Sequence, residues 1–170
     1  LPILVTNVYN EDGKLLTGAD ATAMVALLEG LGVDGIGINC SLGPKQMLPV
    51  ITQLLSVSSL PIIVNPNAGI PQVENGVVKY NVSSDEFAET AYEFVKMGAR
   101  VVGGCCGTTP EYISRVIEKC SDFNPCEITN KDITVISSYT HAVTFGEVPI
   151  LIGERINPTG KPKLKSAIVA

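Results

Sequence analysis

Val101-Val102-Gly103-Gly104-Cys105-Cys106-Gly107-Thr108-Thr109-Pro110-Glu111 decides the fold. It reads as a short buried strand, a glycine-framed pair of cysteines and a helix start. Thr109 suits the N-cap, and Pro110 suits the first helical position, where a missing N–H costs nothing. In parallel α/β units the turn following a strand's C-terminal end is where active sites are built. Adjacent side chains on a strand point to opposite faces, but flanking glycines let the backbone turn sharply enough for both sulfurs to face one point. Such a pair suits a thiophilic metal such as zinc, provided that a third ligand comes from elsewhere.

Gly35-Ile36-Gly37-Ile38-Asn39-Cys40-Ser41-Leu42-Gly43-Pro44 repeats the form: an apolar strand, a cysteine at its end, then Gly-Pro. Cys40 is therefore the candidate third ligand, its alternative being a small core residue at a strand end. Apolar runs near Ile3, Gly35, Pro61 and Arg100 are each followed by a helical pattern, and this alternation argues for a parallel sheet. The first helix is expected over residues 20–29, with Met24, Leu27, Leu28 and Leu31 on its apolar face. Pro49 would break a helix interior, so the second helix is expected only over residues 49–55, with 43–47 as a loop or single turn. Asn75-Gly76 predicts a tight turn between two short extended pieces. Ser83 and Glu86 form a capping-box pattern for a helix ending at Gly98.

The Asn-Cys strand end, Pro66-Asn67-Ala68-Gly69 and Gly-Gly-Cys-Cys-Gly-Thr-Thr-Pro-Glu together resemble the homocysteine S-methyltransferase family. The resemblance implies that four βα units over residues 1–121 are the C-terminal half of a (βα)8 TIM barrel. It also implies that Cys40, Cys105 and Cys106 bind zinc while homocysteine takes the fourth position. In such a barrel Val5, Ile38, Val64 and Val102 are expected on the interior face. Asn39, Asn65 and Asn67 sit at strand ends around the cysteines. Asn39 and Asn67 are candidates for binding substrate or orienting the ligands, with turn geometry as the alternative for all three. Tyr80, in a loop on the same side, reads as a surface or packing residue.

Beyond Cys120 the texture changes. Residues 122–147 read as an interdomain linker with two short extended segments, around Ile133-Thr134-Val135-Ile136 and Ala142-Val143-Thr144-Phe145. Residues 148–160, Val-Pro-Ile-Leu-Ile-Gly-Glu-Arg-Ile-Asn-Pro-Thr-Gly, resemble the first strand and loop of the pterin-binding barrel of cobalamin-dependent methionine synthases. Residues 148–170 would thus open a second domain, with Glu154 and Asn157, flanking Arg155, facing a pterin pocket. The resemblance implies cobalamin and methyltetrahydrofolate as cofactors of the full-length enzyme, bound outside this stretch, and its cobalamin-binding domain as partner. The chain starts within a strand at Leu1 and ends on what reads as a newly begun helix at residues 165–170, so a piece of a larger protein is expected. The rivals are a cobalamin-independent homocysteine methyltransferase (using betaine or S-methylmethionine, or fused to a folate reductase) and a non-catalytic zinc or redox module with a closed cysteine site.

Composition narrows the classes. With 45% hydrophobic and 17% charged residues, the 170-residue chain reads as an ordered α/β protein. A net charge of −5, with no basic cluster before Lys161, Lys163 and Lys165, argues against nucleic acid. No apolar run approaches the ~20 residues of a membrane helix. Five cysteines, two of them adjacent, do not resemble a secreted disulfide framework, which points to the cytoplasm. Cys120 and Cys126 lie away from the strand ends and read as ordinary residues, and His141, the only histidine, as solvated or locally bonded.

Overall fold

Glycine- and proline-punctuated apolar runs become the expected alternation in a computed structural model that describes residues 1–153 and 158–169. The order is β1 (Leu4–Asn7), α1 (Ala21–Gly30), β2 (Gly35–Asn39), α2 (Pro44–Val57) and β3 (Ile62–Asn65). The hairpin β4 (Gln72–Glu74) and β5 (Val77–Lys79) follows, then α3 (Ser84–Met97), β6 (Val101–Val102) and α4 (Pro110–Cys120). A second hairpin, β7 (Thr134–Ser137) and β8 (Ala142–Phe145), precedes α5 (Pro162–Val169). β1, β2, β3 and β6 form one parallel sheet in that order. Its ladder brings the C-terminal ends of all four strands, and the loops that leave them, to one side of the molecule.

The core lies between one face of this sheet and the helices. Ile36, Ile38, Ile62 and Val64 are buried there with Met47, Ile51 and Leu54 of α2 and Phe87 and Phe94 of α3. This corrects the expectation that Val5, Ile38, Val64 and Val102 look away from the helices. The pairing places Val5 beside Ile36, and Ile38 beside Val64, so all four share the helix-covered face. Leu4, Gly35, Ile63 and Val101 occupy the opposite face, where Leu4 is 58% and Val101 46% exposed. The period of two makes the error total: a one-residue slip moves every side chain to the other face.

Two helices also depart from expectation. Asp20 caps α1, accepting from Ala23 N–H at 2.8 Å. The buried residues of α1 are Ala21, Ala23, Val25 and Leu28, whereas Leu27 and Leu31 are 45% and 69% exposed. Leu28 and Met24 meet the core as expected, but their company there is the small residues Ala21, Ala23 and Val25 rather than Leu27 and Leu31. α2 starts at Pro44 and runs through Pro49 without interruption. A proline at position 49 lacks the N–H that would bond the Lys45 carbonyl, and both residues are on the solvent side, where that carbonyl is open to water. The buried stripe Met47, Val50, Ile51 and Leu54 holds the helix in place.

Other local signals behave as read. Asn75 and Gly76 take φ of 52° and 78°, as a two-residue hairpin turn requires, and join β4 to β5. Ser83 accepts from Glu86 N–H at 3.3 Å to start α3, which ends at Gly98. Residues 122–132 are not a loose tether. Lys131 N–H donates to Ser59 Oγ at 2.9 Å, Ser59 Oγ donates to Asn130 Oδ1 at 3.1 Å, and Arg100 Nη1 donates to the Cys126 carbonyl at 2.9 Å. β7 and β8 then pack against α1.

Residues 148–153, expected as the first strand of a second barrel, form no strand. A parallel strand needs a ladder partner, and among the described residues none is available here. Glu154, Arg155 and Asn157 lie outside the described residues. Among those described, no helix is long and apolar enough to cross a membrane.

Candidate metal centre

Cys40 directly follows β2, and the backbone there is unusual. Cys40 and Ser41 have φ of 59° and 64°, two consecutive non-glycine residues in the left-handed region. That conformation costs roughly 1–2 kcal/mol per residue for L-amino acids, so something must hold it. Cys40 N–H donates to the Asn65 carbonyl at 3.0 Å, and Leu42 N–H to the Cys40 carbonyl at 2.7 Å. Ser41 Oγ donates to the carbonyl of Tyr9, a fully buried residue, at 2.8 Å. Strain held this firmly at a strand end is a mark of functional geometry. Nothing in the sequence announces it, because cysteine and serine have no left-handed preference.

The other two thiols come from the turn after β6. Gly103 N–H continues the ladder to the Val64 carbonyl at 3.0 Å. A Cβ on Gly103 would lie 2.5 Å from Asn65 Oδ1, so a side chain here would have to displace the Asn65 amide. Cys105 N–H then donates to the Pro66 carbonyl at 2.8 Å, and Cys106 N–H to Asn67 Oδ1 at 3.1 Å. Ala68 N–H returns a bond to the Cys106 carbonyl at 2.9 Å. Thr108 Oγ1 closes the turn on the Cys105 carbonyl at 2.7 Å. Pro110 opens α4 as expected, and Thr109 occupies the N-cap position but its side chain makes no cap bond.

One four-residue bracket, Asn65-Pro66-Asn67-Ala68, thus receives both cysteine loops, and Asn67 N–H also holds the Leu42 carbonyl at 3.1 Å. The result is that three sulfurs from two segments far apart in the sequence converge. Cys40 Sγ lies 3.6 Å from Cys106 Sγ, Cys105 Sγ lies 3.8 Å from Cys106 Sγ, and all three are within 4.8 Å of one another. Tetrahedral zinc with Zn–S bonds of about 2.3 Å places its sulfurs roughly 3.8 Å apart. The donor set and its spacing therefore fit zinc. Cys40 and Cys105 are half-buried and Cys106 is exposed, which leaves the cluster open on one side.

The thiols do not ionise alike. Burial pushes Cys40 up, but the Ser41 N–H, the Cys106 and Cys105 thiols and the Asn67 amide outweigh it and bring its pKa below the ordinary thiol value. Burial, then the neighbouring Cys40 and Cys106, push Cys105 up to about 11. The first thiolate forms on Cys40 and makes the next unfavourable. A divalent cation at the centre removes that conflict.

Among the other residues singled out, Asn67 is buried and committed to the cysteine loops, its side-chain oxygen accepting from Cys106 N–H and its backbone N–H donating to the Leu42 carbonyl. Asn39 pairs in register with Asn65 at the strand ends, on the face turned from the helices. Cys120 packs against the core at the end of α4, and Cys126 Sγ approaches the Lys96 carbonyl at 3.7 Å; neither joins the cluster. His141 bonds locally, Nδ1 to Thr140 Oγ1 at 2.5 Å. Tyr80 is the residue the sequence undervalued. Its ring covers Gly107, next to Cys106, and the only sequence hint was the glycine itself.

A family model described as homocysteine S-methyltransferase matches residues 1–120. Methionine synthase from Mycobacterium leprae is 34% identical over the whole chain, and that from Mycobacterium tuberculosis 33%. The chain spans 15% and 14% of those two relatives. Among solved structures, the metallated form of the homocysteine methyltransferase MmuM from Escherichia coli superposes with a TM-score of 0.56 at 26% identity, over 69% of this chain and 35% of that one. Its oxidized form gives 0.55.

Proposed function

Since this chain belongs to the homocysteine S-methyltransferase family, we propose that Cys40, Cys105 and Cys106 hold the zinc ion of a methionine synthase, where homocysteine is methylated on sulfur. The observation that carries this reading is the convergence of three thiols within 4.8 Å on a single backbone bracket. The bound metal would keep the substrate thiol ionised at neutral pH, whereas a free thiol has a pKa of about 8.5 and is mostly protonated.

The chain's own residues do the rest. Three cysteine ligands leave one position for substrate, as a catalytic rather than a structural zinc requires. As thiolates they carry one negative charge more than the metal's two positive ones, which preserves electron density on the sulfur to be methylated. The strained Cys40-Ser41 turn and the 65–68 bracket fix all three before substrate arrives, so little reorganisation accompanies binding. Asn67 holds the Cys106 loop through its side-chain oxygen and the Leu42 carbonyl, two residues after Cys40, through its backbone N–H, which favours the ligand-orienting role over direct substrate contact. Asn39, at the free face of the strand ends, is the better placed to meet the amino acid.

The finer parts of the reading concern the whole protein. We infer that residues 1–121 are the C-terminal half of a (βα)8 barrel. The exposed second face of the sheet and, among the described residues, the one-sided pairing of β1 and β6 support this. Residues 122–147 would link it to a pterin-binding domain that begins near residue 148, with Glu154 and Asn157 in its pocket. Methylcobalamin would supply the methyl group and methyltetrahydrofolate would replenish it. In favour of this over a cobalamin-independent enzyme, the methionine synthases align along the whole chain, whereas the family model stops at residue 120 and MmuM covers 69%. Five free cysteines suit the cytoplasm.

Removal and restoration of metal tests the assignment. Dialysis of the full-length protein against a strong chelator should abolish methionine formation from homocysteine, and about one equivalent of zinc should restore it while magnesium does not. Undiminished activity in protein shown to be free of zinc would refute it.

A further inference from the structure

Cys105 and Cys106 are neighbours in the chain, which sets them a problem that Cys40 does not share. Consecutive side chains on extended backbone point to opposite faces. Here both sulfurs reach one cluster, with Cys105 Sγ 3.8 Å from Cys106 Sγ and Cys106 Sγ 3.6 Å from Cys40 Sγ. A single planar peptide unit joins the two Cα atoms, so the rotation of that plane decides whether the side chains diverge or converge. Whatever grips the Cys105 carbonyl grips the plane.

Thr108 grips it twice. Its N–H donates to the Cys105 carbonyl at 3.3 Å, and its Oγ1 donates to the same oxygen at 2.7 Å. The first bond closes a four-residue turn with Gly107 third, at φ of 79°, as the type II form requires. That bond is long, and the hydroxyl bond is the short one. The threonine side chain is folded back over the start of the turn. A Cβ on Gly104 would lie 2.6 Å from both Thr108 Oγ1 and Thr108 Cγ2, so a side chain there would have to push the threonine away. The other bonds of the turn go to the bracket at residues 65–68: Cys105 N–H to the Pro66 carbonyl, Cys106 N–H to Asn67 Oδ1, and Ala68 N–H to the Cys106 carbonyl. None of these holds the Cys105 carbonyl. Thr109, in the N-cap position of α4, makes no cap bond, so the hydroxyl in use is the one that helix capping does not call for.

We propose that Thr108 is a positioning residue of the metal centre, whose hydroxyl fixes the peptide plane between Cys105 and Cys106 and so aims two adjacent sulfurs at one point before metal arrives. Without the hydroxyl the 3.3 Å bond alone holds the plane, and metal binding has to bring the pair into line itself. The purpose of this device rests on the zinc reading, whereas its effect on the two thiols exists with or without metal.

The test separates the two ends of the threonine in the full-length protein. T108V keeps the shape and removes the hydroxyl, while T108S keeps the hydroxyl and removes the methyl group. Competition with a chromophoric chelator should show zinc affinity about tenfold lower in T108V, the lower end of what partners of metal ligands contribute, and near wild type in T108S. A second readout needs no metal. In zinc-free protein the thiol oxidant diamide should join Cys106 to Cys40, as read by peptide mass mapping. T108V should slow this about fivefold, the effect of one hydrogen bond, and T108S should not. T108A removes the hydroxyl without adding bulk, so the comparison with T108S stands even where T108V does not fold. Zinc affinity and disulfide rate both unchanged in the variants without the hydroxyl would overturn the proposal. So would T108S as impaired as T108V, which would assign the role to the methyl group over Gly104. If the wild type takes up no zinc, the metal-centre reading fails instead, and the zinc-free disulfide rates still decide the role of Thr108.

Discussion

Replacing Cys40, Cys105 or Cys106 by serine in the full-length protein should lower bound zinc from about one equivalent to near zero and methionine formation to background. A hydroxyl at physiological pH does not ionise to become a comparable ligand, and two sulfurs do not hold zinc as three do. Changing a residue that only supports a ligand already costs 10–100-fold in affinity, and removing the ligand itself costs more. Cys120→Ser and Cys126→Ser are the internal controls. Both cysteines lie outside the cluster, and both variants should retain zinc and activity. Metal analysis after dialysis and a methionine assay read the outcome. Full zinc retention by the Cys40→Ser protein would remove the third ligand from the account.

The second large effect concerns the 170-residue chain by itself. Among the described residues its sheet has a hydrogen-bonded neighbour on only one side of β1 and of β6, and Leu4 and Val101 are substantially exposed on the face without helices. Unpaired strand edges and uncovered apolar side chains invite association. Nothing on this face of the four strands provides the paired charges that would hold an amino acid's ammonium and carboxylate groups. A thiol activated but not positioned loses most of the proximity advantage, which reaches ~7–11 kcal/mol. The isolated chain should therefore dimerise or aggregate on sizing chromatography and form no measurable methionine from homocysteine and methylcobalamin, whereas the full-length protein should be active. A monodisperse, active 170-residue chain would show that the functional unit is smaller than a barrel.

How much of this was legible in the sequence follows from the range of each interaction. The alternation of strands and helices, the Asn75-Gly76 turn, the Ser83 start and the Gly98 stop of α3 are local signals, and each appears where it was read. The three cysteines were legible because two glycine-rich strand ends share a form. The facing of the strands was not, since Val5 and Ile38 are as apolar as Leu4 and Ile63 and composition alone does not say which set the helices cover. The α1 stripe was legible only in part: Met24 and Leu28 meet the core, but size also suggested Leu27 and Leu31, while close packing favoured Ala21 and Val25. Pro49 was read as a helix breaker because its carbonyl partner's access to water is invisible in sequence. The left-handed Cys40-Ser41 turn, the bracket at residues 65–68 and the seat of Tyr80 on Gly107 depend on contacts between distant segments, and no local pattern encodes them.

The central claim is that the site offers three protein sulfurs and leaves one position for the substrate's own. X-ray absorption at the zinc edge of the full-length protein measures this directly. Without substrate the account predicts three sulfur scatterers at about 2.3 Å, and with homocysteine four. A sulfur count that stays the same when homocysteine is added would contradict it.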